Sequence, residues 1–203
     1  MTIISQCKSY DYHRDYSFVH FSRGIENTKH LDLDDRLQLW PNDNAMLRNG
    51  ILRLATYAGI QTSREKIVFI DFSIQNLKIF LNSHWMNQFQ DYKIVLICDR
   101  HMLALGTFWF YHPLCTKMIS AIIFASDKLE DVNQKIKDVL EGRALPPSRG
   151  IVRLSFTEFI ILQLTSLSIK VKEIAYQCNY SVKTVYTYKN RIENKMKIRL
   201  PKA

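Results

Sequence analysis

The sequence is poor in the residues that mark several classes of protein. Its 203 residues include only four cysteines, six glycines and five prolines. The cysteines are scattered and form no Cys-x-x-Cys pair, so neither a disulfide scaffold nor a zinc ribbon is predicted. The low glycine and proline contents exclude collagen-like and low-complexity chains. This cysteine usage fits a reduced, cytoplasmic setting best.

Signals for membranes, cofactors and catalysis are missing as well. No stretch approaches the roughly 18 apolar residues that span a bilayer, and the N-terminus does not resemble a signal peptide. Phosphate-binding loops, dinucleotide fingerprints and the serine-hydrolase elbow are absent. His112-Pro-Leu-Cys115 could be half of a metal site, but no second pair follows at a suitable spacing. We therefore expect no metal, no cofactor, no membrane partner and no enzymatic activity.

Positive charge is concentrated at one end of the chain. The net charge is +9. Residues 147–203 contain 11 Lys and Arg against 3 acids, whereas the remainder contains 17 against 16. A short basic segment beside a near-neutral one is typical of nucleic-acid binding. A merely solvated basic tail is the alternative.

The change in charge coincides with a break in the sequence. Glu141-Gly-Arg-Ala-Leu-Pro-Pro-Ser-Arg-Gly150 contains adjacent prolines and two glycines, which interrupt regular structure. We therefore predict a first domain at 1–142, a linker at 143–150 and a second domain at 151–203.

The first domain has the pattern of an α/β fold. Residues 66–71, 92–98 and 118–124 are continuous β-branched or aromatic runs, as in buried parallel strands. Helices are predicted at 42–57, with Asn42 or Asp43 as the cap, and at 129–140. Shorter segments at 2–5 and 30–34 favour strands, and 16–23 favours a helix. Strands separated by helices predict a doubly wound parallel sheet.

The second domain has no strand pattern. Helices are predicted at 157–166 and 171–178, and a third, capped by Ser181, extends to about Lys197. Two helices joined by a tight polar turn have the form of a helix-turn-helix. The major groove of DNA admits such a helix, whose first residues meet the base edges.

Several motifs in this domain resemble the LuxR/FixJ-type helix-turn-helix. They are Leu154-Ser-Phe-Thr-Glu158, Lys172-Glu-Ile-Ala175, Ser181-Val-Lys-Thr-Val185, Asn190-Arg-Ile192 and Lys195-Met196. They keep the register of the family over about 45 residues. Three features depart from it: the turn glycine is replaced around Ser168, the histidine is replaced by Tyr188, and little sequence remains for the fourth, often dimerising, helix.

The resemblance implies roles for particular residues. Lys183 and Thr184 would contact phosphate, whereas Tyr186, Thr187 and Asn190 would face bases. Core positions would be Ile174, Ala175, Val185 and Ile192, with Glu158 a structural acid. The whole implied DNA-binding set is Lys172, Ser181, Lys183, Thr184, Tyr186, Thr187, Tyr188, Asn190, Arg191 and Lys195. Packing is the alternative role for the two tyrosines, and a solvated face the alternative for Lys195 and Lys197.

The first domain resembles a degenerate response-regulator receiver. Residues 66–71 look like its third strand, with Asp71 at the phosphoacceptor position, and 118–142 look like its last strand and helix. Phosphorylation also needs an acidic pair after the first strand, a hydroxyl after the fourth and a lysine after the fifth. At those places we find Gln6-Cys7, Cys98-Asp99 and Ala125. We therefore expect Asp71 to be an ordinary strand-end acid.

Two further features concern partners. Thr2-Ile-Ile-Ser5 and Ser22-Arg-Gly24 are similar to RcsA-like auxiliary regulators of enterobacteria, which act with a response regulator. Leu105-Gly-Thr-Phe-Trp-Phe-Tyr111 would be the fourth receiver helix, part of a pairing face. Alternatively, Phe108 and Phe110 are core residues while Trp109 and Tyr111 are partly exposed.

Together these features predict a bacterial transcription regulator that binds double-stranded DNA. It would act without phosphorylation, as a homodimer or as a heterodimer with a response regulator. Two other classes stay open. One is an interaction module that modulates another regulator without reading DNA. The other is an enzyme that uses the α/β domain, with Asp71 or His112 in its site.

Overall fold

The computed structural model describes residues 37–41, 43–58, 65–113, 118–147 and 152–201. The strands expected at 2–5 and 30–34 and the helix expected at 16–23 lie outside the described residues.

The centre of the first domain is a parallel sheet. Its strands are β1 (Leu37–Trp40), β2 (Ile67–Phe72), β3 (Lys93–Cys98) and β4 (Ile119–Phe124), in the spatial order β1-β2-β3-β4. Every residue of β2 is buried, because helices cover both faces of a parallel sheet. The three continuous apolar runs are therefore confirmed as strands.

Helices pack on both faces of the sheet. On one face, α1 (Ala45–Ala58) and α3 (Leu129–Leu140) bury Ile51, Ile136 and their neighbours against Phe69 and Val95. The other face carries α2 (Leu103–Phe110) and two 3₁₀ helices, Ile74–Leu81 and His84–Phe89. This arrangement confirms the doubly wound fold class.

The start of α1 differs from the expectation. The cap is Asn44, whose Oδ1 accepts a hydrogen bond from the Leu47 N–H at 3.0 Å. Asp43 precedes it, and Asn42 lies outside the described residues.

An aromatic cluster fills the space under the two 3₁₀ helices. Trp85 lies 5.3 Å from Phe80 and 6.4 Å from Trp109, measured between ring centroids. Phe72 of β2 lies 4.1 Å from Phe80. The 3₁₀ repeat of three residues per turn gives no 3.6-residue periodicity, so these helices were not predicted.

The second domain consists of α4 (Phe156–Ser166), α5 (Val171–Gln177) and α6 (Val182–Met196), which confirms the three predicted helices. It packs directly on α2. The Phe108 and Phe159 rings stack at 4.5 Å, and the Leu154 N–H donates to the Ala104 carbonyl at 3.2 Å. Buried residues of both domains thus form one continuous apolar core.

Part of the segment assigned as a linker joins the sheet. Leu145 forms an isolated parallel bridge with Ala121, and its N–H donates to the Ser120 carbonyl at 2.7 Å. The division at 1–142, 143–150 and 151–203 stays a prediction.

Helix α2 corrects two expectations about the aromatic segment. Trp109 is 1% exposed and its Nε1–H donates to the Phe80 carbonyl at 2.9 Å, so its assignment as partly exposed is wrong. Tyr111 is 44% exposed, as expected. Phe108 and Phe110 are buried, as the core alternative expected, and the face around Phe108, the other alternative for which was a partner surface, is covered by Phe159 of the same chain.

Candidate nucleic-acid interface

The entry into the helical domain is fixed by a capping box. The Ser155 side chain accepts from the Glu158 N–H, and the Glu158 carboxylate accepts from the Ser155 N–H at 2.6 Å. This reciprocal pair satisfies two backbone donors at the start of α4. Glu158 is only 2% exposed, in agreement with its expected structural role.

Both connections between the helices contain a residue in the left-handed backbone conformation. Ser168 follows α4 with φ 60°, a left-handed conformation that glycine adopts most readily, so the turn is formed here without a glycine. Asn179 lies between α5 and α6 with φ 55°, a conformation that asparagine tolerates well. The Tyr180 N–H donates back to the Ala175 carbonyl at 2.8 Å and closes the helix-turn-helix.

The inner surface of this unit is apolar. Ile174, Val185 and Ile192 are fully buried, and Ala175 is 5% exposed. These are the four residues expected in the core.

The N-terminus of α6 is capped and open to solvent. Ser181 Oγ accepts from the Thr184 N–H at 3.0 Å and lies 2.8 Å from Thr184 Oγ1. Thr184 is half-buried, and Lys183 beside it is exposed. The positive end of the helix dipole adds to this lysine, so the position favours an anion such as a phosphate.

The outer face of α6 collects most of the expected DNA-binding residues. Tyr186, Thr187, Asn190 and Arg191 are exposed there, and Lys172 is exposed on α5. The Thr187 hydroxyl donates to the Lys183 carbonyl at 3.1 Å, which leaves its methyl group and lone pairs available.

Tyr188, at the position of the family's histidine, is half-buried. Its ring lies 5.7 Å from the Tyr180 ring, and the Arg191 guanidinium lies 5.6 Å from its centroid. Tyr188 thus packs against Tyr180 in the turn between α5 and α6 and against Arg191 on α6.

The structure does not bring Lys195 to the outer face. Its Nζ donates to the buried Glu158 carboxylate and to the Arg153 carbonyl, at 2.6 and 2.9 Å. Lys189 is also turned inward and donates to the Pro201 carbonyl at 2.7 Å. Burial lowers the pKa of the Lys189 ammonium from its ordinary value.

Sequence reasoning missed several exposed apolar side chains of this unit, and two of them lie on the helix-turn-helix itself. Val182 is 40% exposed at the start of α6, and Tyr176 is 88% exposed on α5. A helical face with large apolar residues on its solvent side is the signal that could have marked them.

The recognition-type helix is anchored at its far end. The Met196 carbonyl, in the last turn of α6, accepts from His101 Nδ1 at 3.0 Å. Arg100 Nε donates to the other ring nitrogen of His101 at 3.2 Å, so Nδ1 carries the hydrogen. The α/β domain therefore holds the C-terminal end of α6, opposite the exposed N-terminal turns.

The second site considered from the sequence lies at the carboxyl edge of the sheet. Asp71 is 7% exposed and accepts a hydrogen bond from Asn44 Nδ2 at 3.4 Å. Burial, opposed by hydrogen bonds from Ser73 and Asn44, raises the pKa of this carboxyl. Burial thus disfavours the charged form of this carboxylate relative to an exposed aspartate.

The sequence analysis compared Gln6-Cys7 with the acidic pair that follows the first strand of a receiver, but another strand lies beside the strand of Asp71. In flavodoxin-like sheets the first strand lies beside the third, and β1 lies beside β2 here. The residues to compare therefore follow Trp40, where Asp43 and Asn44 stand beside Asp71. Asp99 is already engaged, because its carboxylate accepts from the Ile74, His101 and Met102 N–H groups.

The described residues contain no group of three His, Cys, Asp or Glu side chains that could hold a metal ion. None of the helices in the described ranges is both long and apolar enough to cross a membrane.

Comparison with known proteins identifies both parts of the chain. Residues 152–200 match the family described as bacterial regulatory proteins, luxR family. This segment is therefore a LuxR-family helix-turn-helix domain, the DNA-binding domain of bacterial transcription regulators. Residues 25–140 match the EcpR N-terminal domain, and the chain belongs to that family.

A curated relative and two solved structures are also similar. The chain is 29% identical over 160 residues to the uncharacterized protein YqeH of Escherichia coli (strain K12), covering 78% of this chain and 74% of that one. RcsB from Salmonella enterica serovar Typhimurium, bound to promoter rprA, is 16% identical over 83% of this chain and 98% of its own, with a TM-score of 0.37. FixJ from B. japonicum is 13% identical, covering 79% of this chain and 88% of the FixJ chain, with a TM-score of 0.31. Both structural likenesses are weak.

Proposed function

We propose that this chain reads duplex DNA sequence-specifically through the outer face of α6 and acts without phosphorylation. The observation that carries the proposal is the capped, exposed N-terminal half of α6. There Lys183 stands beside the helix dipole, and Tyr186, Thr187 and Asn190 face outward. Phosphate contacts would fix the register, and the three outward side chains would read base edges.

Independence from phosphorylation is supported by the surroundings of Asp71. The carboxyl is buried with a raised pKa. Cys98 stands where a receiver needs a hydroxyl, and Ala125 stands near the lysine position. Control of this regulator would then come from its abundance or from a partner.

A single domain of this kind makes few contacts, so useful affinity requires two DNA-binding units. We infer that the chain pairs with a second copy or with a response regulator. Since Phe159 covers α2, the pairing surface would lie elsewhere on the α/β domain. As a regulator that binds chromosomal DNA, it would work in the bacterial cytoplasm and without catalysis.

The test is selection of genomic fragments by the purified full chain at physiological salt, with and without cell extract. A sharp motif from the protein alone would support an autonomous, self-pairing regulator. A motif that requires extract would support a heterodimer, and the co-purifying protein would be the partner. No enrichment in either case would contradict DNA reading and favour the interaction-module alternative.

Two variants separate the roles within α6. Asn190→Ala should cost about 1–3 kcal/mol on the selected site and little on random DNA. Lys183→Ala should weaken binding to all sequences similarly and flatten the salt dependence. Equal losses on both DNAs for Asn190→Ala would remove this residue from the base readers.

A further inference from the structure

The first turns of α6 present two large apolar side chains on their outer face. Val182 is 40% exposed and Tyr186 is 47% exposed. Thr187 adds a methyl group beside them, and Asn190 follows one turn later. Exposed apolar side chains on a face meant for DNA indicate contact with an apolar part of the major groove.

The cations near this face are placed for other contacts. Lys183 is the only basic residue between positions 181 and 188, and it stands beside the Ser181 cap where a phosphate is favoured. Arg191 is held over the Tyr188 ring, one helical turn beyond Thr187. Guanine is read mainly by bidentate Arg or Lys, and the centre of this face offers neither.

The major groove matches this chemistry at A·T pairs. Thymine is the one unmodified base with a methyl group in the groove, and apolar side chains contact it. Adenine presents N7 and the N6 amino group, which the amide of asparagine matches with two hydrogen bonds. Tyr186 and Asn190, four residues apart, lie about 6 Å apart along the helix axis, the length of about two base-pair steps.

We propose that α6 selects A·T base pairs, with Val182 and Tyr186 against thymine methyl groups and Asn190 on an adenine a step or two away. This inference rests on the proposed function and names the class of sequence that the site takes. It makes Val182 a specificity residue, which no motif assigned.

The experiment begins with selection from a random DNA library by the full chain, followed by titration of the enriched site. Each thymine of the site is then replaced singly by deoxyuridine, which keeps base pairing and removes only the methyl group. Wild-type affinity should fall about fourfold at the contacted thymines, the effect of about one buried methyl.

Variants assign each methyl contact to a side chain. Tyr186→Ser and Val182→Ser should bind the thymine site more weakly and show no further loss on the matching deoxyuridine site. Lys183→Ala is the matched control, because it should lose affinity while keeping the full fourfold discrimination. Asn190→Ala should lose the preference for adenine at one position, worth about tenfold or more.

The outcomes distinguish this inference from the proposed function. An enriched site centred on G·C pairs would overturn the inference and leave DNA reading intact. So would a deoxyuridine effect that Tyr186→Ser and Val182→Ser leave unchanged. No enrichment of any sequence would contradict DNA reading itself and the inference with it. Because all four positions are exposed, circular dichroism and melting curves should match wild type, and a serine variant that fails this check is replaced by the alanine substitution.

Discussion

The ring of Phe108 on α2 stacks on the ring of Phe159 on α4 at a centroid distance of 4.5 Å and an interplanar angle of 16°. Trp109 meets the same Phe159 ring edge-on at 5.2 Å. Both phenylalanines are more than nine-tenths buried. The two domains are thus joined through a packed aromatic centre and should unfold together.

Truncation of either phenylalanine should destabilise the whole chain. We expect about 3–5 kcal/mol for Phe108→Ala or Phe159→Ala in urea unfolding. The double variant should lose about 0.5–1.5 kcal/mol less than the sum of the losses of the two single variants, because each single variant already removes the whole stacking interaction. Strict additivity, or a separate unchanged transition for the helical domain, would contradict the joint core.

Replacement of Asp71 should stabilise the protein. The pKa of this carboxyl is raised above 3.8 in the folded state, mainly by burial. The folded chain therefore holds the proton more tightly than the unfolded chain, so the contribution of Asp71 to the free energy of unfolding is greatest below pH 3.8 and is lost as pH rises through the folded-state pKa. Asp71→Asn should therefore be more stable than wild type at pH 7, with a smaller difference near pH 4. Urea unfolding across this range measures it.

Asp99→Asn is the matched control for this prediction. The Asp99 carboxylate accepts three backbone N–H groups, so its loss should destabilise the chain by about 1–3 kcal/mol. DNA affinity of Asp71→Asn should equal that of wild type. A loss of affinity in this variant would indicate that the Asp71 carboxylate takes part in activation.

The ion pair between Lys195 and Glu158 should matter for folding. Removal of Lys195 leaves a buried carboxylate, so Lys195→Ala should lower stability by about 3 kcal/mol, the low end for buried pairs because the lysine is partly exposed. Lys197→Ala, two residues away and exposed, should leave the melting temperature unchanged. Equal melting temperatures for the two variants would show that Lys195 is not structural.

His112 should make stability depend on pH. Burial lowers its pKa below 6.5 in the folded state, so the unfolded chain binds more protons between the two values. Stability should fall as pH drops from about 6.5 toward the folded-state pKa. His112→Gln should reduce this dependence, measured as the wild-type-minus-variant difference in urea midpoint at pH 5 and pH 7.5. The same difference at both pH values would show that His112 is not the source of the pH dependence.

The sequence predicted those helices and strands whose formation depends on neighbouring residues in the chain. The β-branched run of β2, the periodicity of α3 and the Ser181 cap of α6 each fix an element without help from the rest of the chain. The four residues of β1 are too few for a pattern, and the 3₁₀ helices have no helical period. These elements depend on the aromatic cluster that they enclose.

The sequence also predicted the part of the candidate site that lies on a single helix, but not the contacts that this helix makes with other elements. The outer face of α6 follows from helical spacing, which places Lys183, Tyr186 and Asn190 together. The inward direction of Lys195 does not, because it depends on the position of Glu158 on another helix. Burial of Trp109 likewise depends on the Phe80 carbonyl and on the docked second domain.

The inward lysines have a consequence for the protein's response to salt. Each phosphate neutralised by a protein releases condensed counterions, and the slope of log affinity against log salt counts those phosphates. Lys189 Nζ donates to the Pro201 carbonyl and Lys195 Nζ to the Glu158 carboxylate, so we expect neither lysine to contact a phosphate. The counterion release of this regulator should therefore be smaller than the basic residues of its C-terminal segment suggest.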